Sequence, residues 1–172
     1  MRNKKGIPVI SIVGYTNAGK STLLNMLTQS SIIAANRLFA TLDPSSRRLR
    51  FPKDIEVILT DTVGFIQNLP KDLMEAFHAT LDELMDADVI LHVIDISNPR
   101  YSQQKETVEQ ILKNLKLDTI PTLLVFNKID RIHLDAFEDQ WLLTQGISIS
   151  ATQKQTLKPL VDKLGSMVTL IE

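Results

Sequence analysis

Cysteine is absent from the 172 residues, which removes disulfides, thiolate metal centres and thiol nucleophiles together. Neither sign of charge dominates: 19 Lys and Arg against 20 Asp and Glu leave a formal net charge of -1, so contact with a polyanion would need a local patch. Long apolar runs are missing too, and none approaches the roughly 20 residues needed to cross a bilayer. The opening MRNKKGIPVISIVG places basic residues before a short apolar run. That run enters a glycine-containing loop rather than a cleavage site, and it reads as the first strand of a cytoplasmic protein. The single tryptophan, Trp141, is expected to be a core or helix-packing residue and not a base-stacking platform. Glycine is scarce, with six in all, so where each one falls carries information.

What remains is a soluble composition, 44% hydrophobic and 23% charged, in a length that suits one domain with a real core. Near-continuous apolar runs at 7–13, 55–60, 89–95, 121–126 and 146–150 read as strands covered on both faces. Helical periodicity separates them. Leu73, Phe77, Leu81 and Leu84 form one stripe, Val108, Ile111, Leu112 and Leu115 another, and a last helix is expected over 156–171 with Pro159 in its first turn. Strand alternating with helix predicts an α/β fold with a doubly wound, mostly parallel sheet, whose ligands bind beyond the carboxyl ends of the strands. Residues 29–50 are polar and turn-rich, and they read as a functional loop.

GYTNAGKST carries Gly14, Gly19, Lys20 and Ser21 at the spacing G-x-x-x-x-G-K-[ST], after a strand and before a helical stripe of Leu23, Leu24 and Leu27. Glycines let backbone N–H groups curl around phosphate oxygens, and a helix N-terminus adds a favourable dipole. The whole loop, Gly14, Tyr15, Thr16, Asn17, Ala18, Gly19, Lys20, Ser21 and Thr22, is therefore a candidate phosphate cradle of the P-loop type. Lys20 is expected to reach the β- and γ-phosphates, and the Ser21 hydroxyl to ligate Mg²⁺.

NKID follows the strand PTLLVF, so Asn127, Lys128, Ile129 and Asp130 match the guanine motif N-K-x-D. The Asp130 carboxylate can accept from two guanine N–H donors, a pair that adenine does not offer. An unpaired buried acceptor costs about 1–3 kcal/mol, which disfavours adenine. Lys128 is expected along the base plane and Asn127 is expected to tie this loop to the phosphate loop. Ser150, Ala151 and Thr152 follow the next strand, with the Ala151 N–H aimed at guanine O6 and Ser150 bracing the turn. Asp61, Thr62, Val63 and Gly64 close another strand: Asp61 would hold a Mg²⁺-bound water, and the Gly64 N–H would meet the γ-phosphate. Thr41 is either the hydroxyl that completes Mg²⁺ coordination when a γ-phosphate is present or a plain surface threonine.

GYTNAGKSTLLN, LFATLDPSSRRLRF, DTVGFIQNLPKDLMEAFHATLDEL, ADVILHVIDISNP and NKID together resemble the G domain of the HflX family, a GTPase group related to the Obg proteins. The likeness covers nearly the whole chain. It implies a Ras-like G domain that binds GTP and GDP with Mg²⁺ and hydrolyses GTP slowly. It also implies Thr41 as the switch threonine, with Phe39, Ala40, Leu42 and Asp43 beside the nucleotide, so that Lys20, Thr41 and Gly64 are the candidate catalytic groups. Ser21 and Thr41 are the expected direct metal ligands, with Asp61 acting through water. Family members carry an N-terminal domain and a helical linker, so residues 1–172 are expected to be a G domain from a longer protein. The family's partner is the large ribosomal subunit, in ribosome splitting or rescue, and contact by this domain alone is expected to be weak or absent.

Phe65 follows the D-x-x-G glycine where many related hydrolases use a glutamine to orient water, and phenylalanine has no group to do so. In the resembling family a hydrophobic residue there is usual. Three replacements stay open: the backbone near Thr41, a ribosomal group, or a monovalent cation such as K⁺ ligated by the Asn17 side chain. Asn17 has a second reading, tolerance of an unusual backbone angle. A GTP/GDP-binding interaction module without catalysis is the rival function, and an adenine-nucleotide enzyme a weaker third. His78, His92 and His133 have no ligand spacing and read as structural; Asp82, Glu83, Asp86 and Asp88 read as a solvated helix end, and Arg47, Arg48 and Arg50 as solvated surface.

Overall fold

A parallel strand buried on both faces needs apolar residues at successive positions, and VISIVG and VILHVID supply them. They form β1 (Val9–Gly14) and β5 (Val89–Asp95), neighbours in register from Ile10↔Val89 to Gly14↔Val93. The computed structural model describes residues 6–29, 34–35, 46–61 and 84–171. Within them lie α1 (Lys20–Gln29), β2 (Ala34–Ala35), β3 (Ser46–Phe51), β4 (Ile55–Asp61), α2 (Tyr101–Asn114), β6 (Thr122–Asn127), α3 (Gln140–Leu143), β7 (Gly146–Ser148) and α4 (Lys158–Thr169). The seven strands make one sheet in the order β2-β3-β4-β1-β5-β6-β7. β4, β1, β5, β6 and β7 run parallel, and β2 and β3 are antiparallel additions at one edge.

Alternation along each strand splits the core into two layers. Ile10 and Ile12 of β1, with Val89, Leu91 and Val93 of β5, face α1 and α4, where Leu23, Leu27, Leu160, Leu164 and Val168 are buried. Val13 and Ile90 face the other way, onto Val108 and Leu112 of α2. Each fully buried leucine of these helices contributes about 1.5–3 kcal/mol. Pro159 sits in the first turn of α4, as its fixed φ requires.

Two expectations are corrected. Residues 46–50 are not loop: SRRLRF is an antiparallel strand paired with β4 from Ser46↔Thr60 to Phe51↔Ile55. Leu49 and Phe51 point into the core, while Arg48 and Arg50 both bond Glu56 (2.7 and 3.0 Å) and hold its carboxyl below the usual range. Trp141 is not a core residue. It is 72% exposed, because the four-residue α3 has one inward face and Leu142 takes it.

The first predicted helical stripe falls largely outside the described residues, as do His78, Asp82 and Glu83; its last member, Leu84, is described and fully buried. Asp86 is exposed, whereas Asp88 is half-buried and accepts the Val9 N–H at 2.8 Å. His133 is exposed and His92 is buried.

Candidate functional site

The strands β1, β4, β5 and β6 end at one edge of the sheet, and the segments leaving them carry the polar side chains. β1 passes through Tyr15–Gly19 into α1. Gly14 must be glycine, because a Cβ there would lie 2.6 Å from the Val93 carbonyl oxygen on the neighbouring strand. Gly19 has φ +98°, and a Cβ would collide with the Asn127 side-chain nitrogen. Asn17 also lies in the left-handed region, with φ 67°. Its turn-tolerant character is therefore used, whatever its side chain does besides.

Lys20 is 7% exposed, and its Nζ donates to the Tyr15 carbonyl at 3.3 Å. Burial lowers its pKa and the Asp61 carboxylate partly restores it. Ser21, the next residue, donates its hydroxyl to Asp61 Oδ2 at 2.9 Å, so the start of α1 and the end of β4 meet at two hard oxygen donors. The other Asp61 oxygen, Oδ1, is buried with no hydrogen-bond partner among the described residues. An unpaired buried carboxylate oxygen beside a hydroxyl suits a small hard cation or its bound water. Among the described residues no three His, Asp or Glu side chains gather, so a divalent ion here would share its coordination with phosphate oxygens and water.

Asn127 closes β6 and is 2% exposed. Its Nδ2 donates to the Ala18 carbonyl (2.9 Å), while its Oδ1 accepts from Lys128 N–H (2.8 Å) and Ala151 N–H (2.9 Å). One buried amide thus ties together the phosphate loop, the N-K-x-D loop and the turn after β7. The Ala151 N–H, expected to meet guanine O6, donates to Asn127 Oδ1 in this structure, which carries no nucleotide to test that expectation. The Ser150 N–H donates to Thr156 Oγ1 (3.0 Å) and its hydroxyl pairs with Thr152 Oγ1 (3.1 Å). Lys128 has φ 64° and donates its ammonium to the Asn17 carbonyl (3.0 Å) and to Asp95 Oδ2 (2.9 Å).

A cavity of about 550 Å³ opens among these groups, lined by Asn17, Gly19, Lys20, Ser21 and Thr22 at one end and Asn127, Lys128, Asp130, Ser150, Ala151 and Thr152 at the other. Asp130 is exposed at its mouth, and Ile129 packs behind into the third apolar cluster. Tyr15 is half-buried and Thr16 exposed. Phe39, Ala40, Thr41, Leu42, Asp43, Thr62, Val63, Gly64 and Phe65 lie outside the described residues. Three contributors went unforeseen: Arg131, which also lines the cavity, Thr156 behind Ser150, and Asp95 beneath Lys128. Asp95 had a sequence signal, an Asp-x-Ser turn directly after a buried strand.

The family model described as 50S ribosome-binding GTPase matches residues 9–128. A GTPase HflX of Caldanaerobacter subterraneus subsp. tengcongensis is 53% identical over 133 residues, which are 77% of this chain and 31% of that protein. The GTPase HflX of Alkalihalophilus pseudofirmus is 41% identical over 171 residues, covering 92% of this chain and 40% of its own length. The chain thus spans less than half the length of these relatives. Among solved structures, a GTP-binding protein from the hyperthermophilic archaeon Sulfolobus solfataricus, in complex with GDP, superposes with a TM-score of 0.79 at 29% identity, over 96% of this chain and 53% of that one. With the family model running from the first strand through the N-K-x-D lysine, this chain belongs to the 50S ribosome-binding GTPase family, in its HflX group.

Proposed function

We propose that residues 1–172 form one cytoplasmic G domain that binds GTP and GDP with Mg²⁺ and hydrolyses GTP slowly, as the switch of a protein whose partner is the large ribosomal subunit. The observation that carries the reading is the Asn127 junction. A single buried amide fixes the phosphate-facing loop and the two base-facing loops around one cavity.

Each residue then has a physical task. Lys20, held in a buried position, keeps its ammonium where phosphate charge is screened little by water, and there a fixed cation is worth most. Ser21 and Asp61 would hold Mg²⁺, the latter through water, and the ion would neutralise phosphate charge. Asp130, exposed at the cavity mouth, offers a carboxylate to the two guanine donors. Thr41 and the Gly64 N–H respond to the γ-phosphate, which makes the segments around them the signalling surfaces. The Asn17 side-chain oxygen would hold a potassium ion beside the phosphates, which would supply positive charge there while the water that Phe65 has no group to orient is held by other groups.

Single-turnover GTP hydrolysis with Mg²⁺, in matched KCl and NaCl and with an ATP control, tests the reading. Slow turnover of GTP and none of ATP is expected, faster in KCl if Asn17 holds the cation. GTP binding with no turnover in either salt would replace it by a binding module, and equal use of ATP would sink the guanine assignment.

A further inference from the structure

We propose that Asp95, seated by Ser97, is a positioning residue for the nucleotide site: it holds the Lys128 ammonium against the Asn17 carbonyl, so that the base loop and the phosphate loop are set before nucleotide arrives. The inference rests on the guanine-nucleotide reading and adds a residue that neither the sequence motifs nor the family match assigns.

Asp95 is the last residue of β5, in register with Asn127, the last of β6. The chain turns there, and the Ile96 N–H donates to the Asn127 carbonyl at 3.1 Å. The Asp95 carboxylate collects three donors. Oδ1 accepts from the Ser97 N–H (3.0 Å) and the Ser97 hydroxyl (2.5 Å), and Oδ2 accepts from Lys128 Nζ (2.9 Å). Ser97 thereby fixes the carboxylate's rotation, and one oxygen is left to face the lysine.

Lys128 is constrained at both ends. Its backbone is left-handed, with its N–H on Asn127 Oδ1, and its ammonium sits between Asp95 Oδ2 and the carbonyl of Asn17, itself left-handed. An ammonium has three N–H donors, so one remains for the cavity that Lys128 lines. An exposed Lys–Asp pair would contribute little. Here the two side chains are 23% and 13% exposed, and the pair joins residues 33 apart in sequence to a loop 111 residues away. Without Asp95 the lysine regains rotamer freedom, and nucleotide binding must order it again.

The test is a double-mutant cycle on GDP affinity with Mg²⁺ present, by calorimetric titration reaching millimolar GDP, for the full chain, Asp95→Ala, Lys128→Ala and the double variant. Asp95→Ala is expected to weaken GDP about tenfold in the wild-type background. With Lys128 already truncated it should change affinity less than about twofold, because there is no ammonium left to position. Asp95→Asn puts an NH₂ donor where one carboxylate oxygen stood, facing either the Ser97 donors or the Lys128 ammonium, so it should lose nearly as much affinity as Asp95→Ala. The preference for GTP over ATP should be unchanged, since Asp130 carries it. Equal losses in both backgrounds would assign Asp95 a structural role and overturn the proposal, as would an Asp95→Ala chain that binds GDP like wild type. If Asp95→Ala loses its cooperative urea transition, Ser97→Ala decides: a severalfold loss in GDP affinity supports positioning, and none overturns it. Failure of the wild-type chain to bind GDP overturns the nucleotide reading itself, and this role with it.

Discussion

Replacing Asn127 by alanine should damage stability and nucleotide binding at once, and the size of the loss follows from the three bonds its amide makes. Nδ2 satisfies the Ala18 carbonyl, and Oδ1 satisfies two backbone N–H groups, those of Lys128 and Ala151. Ala18 and Ala151 are 1% and 3% exposed, so their freed groups have poor access to water. At about 1 kcal/mol net for each lost bond, the expected cost is about 3 kcal/mol. For a domain with a urea dependence near 2 kcal/mol per molar, the unfolding midpoint falls by about 1.5 M. Asn127→Asp should cost at least as much at neutral pH, since a carboxylate oxygen then faces the Ala18 carbonyl with no donor between them. Urea titrations with and without GDP read both effects, because bound ligand stabilises by mass action and a broken junction shrinks that increment. A midpoint within about 0.3 M of wild type, with the GDP-induced shift intact, would refute the view that this amide joins the three loops.

Gly19→Ala should abolish measurable GDP binding and cost about 1–3 kcal/mol, as φ is +98° and the new Cβ meets Asn127; calorimetric titration and denaturation check it. Gly165→Ala should do the reverse. Inside α4 its Cβ would meet, among the described residues, only Ile55 Cδ1, at an ordinary 3.6 Å, so a gain of about 0.5–1 kcal/mol is expected in thermal unfolding. His92 is 1% exposed, and burial, with the Lys105 charge second, pushes its pKa down to about 3. The unfolded chain therefore takes up a proton first. The contribution of neutral His92 is complete above pH 6.5 and falls by about 1.4 kcal/mol per pH unit on acidification towards 3, a slope that His92→Leu should flatten. Trp141→Ser should leave stability within about 0.5 kcal/mol, because the side chain is 72% exposed.

What could be read from the sequence followed from how locally each feature is determined. β1 and β5 were legible because burial on both faces forces a continuous apolar run. β3 was not: three arginines in SRRLRF masked the alternation of Leu49 and Phe51, and one solvated face is how an antiparallel edge differs from a parallel centre. The phosphate loop was legible because a backbone that must approach a neighbouring strand, or adopt positive φ, leaves glycine or asparagine at fixed spacing. Trp141 misled because composition favours burial of an aromatic, while the four-residue α3 had only one inward position to give.

Asp95 shows where such reading stops. Its role depends on β5 and β6 ending at the same level, and that register is a property of the sheet and not of either strand. Asn127, from the same row, was legible only because its neighbours spell a motif. The two residues do the same kind of work: Asn127 secures backbone to backbone, and Asp95 secures a long side chain, that of Lys128, which the Asn127 junction leaves unheld. A site assembled at strand ends needs both, because fixing Asn17, Ala18 and Ala151 gives the cavity its walls, while the lysine that lines it keeps its rotamer freedom until something opposite accepts its charge.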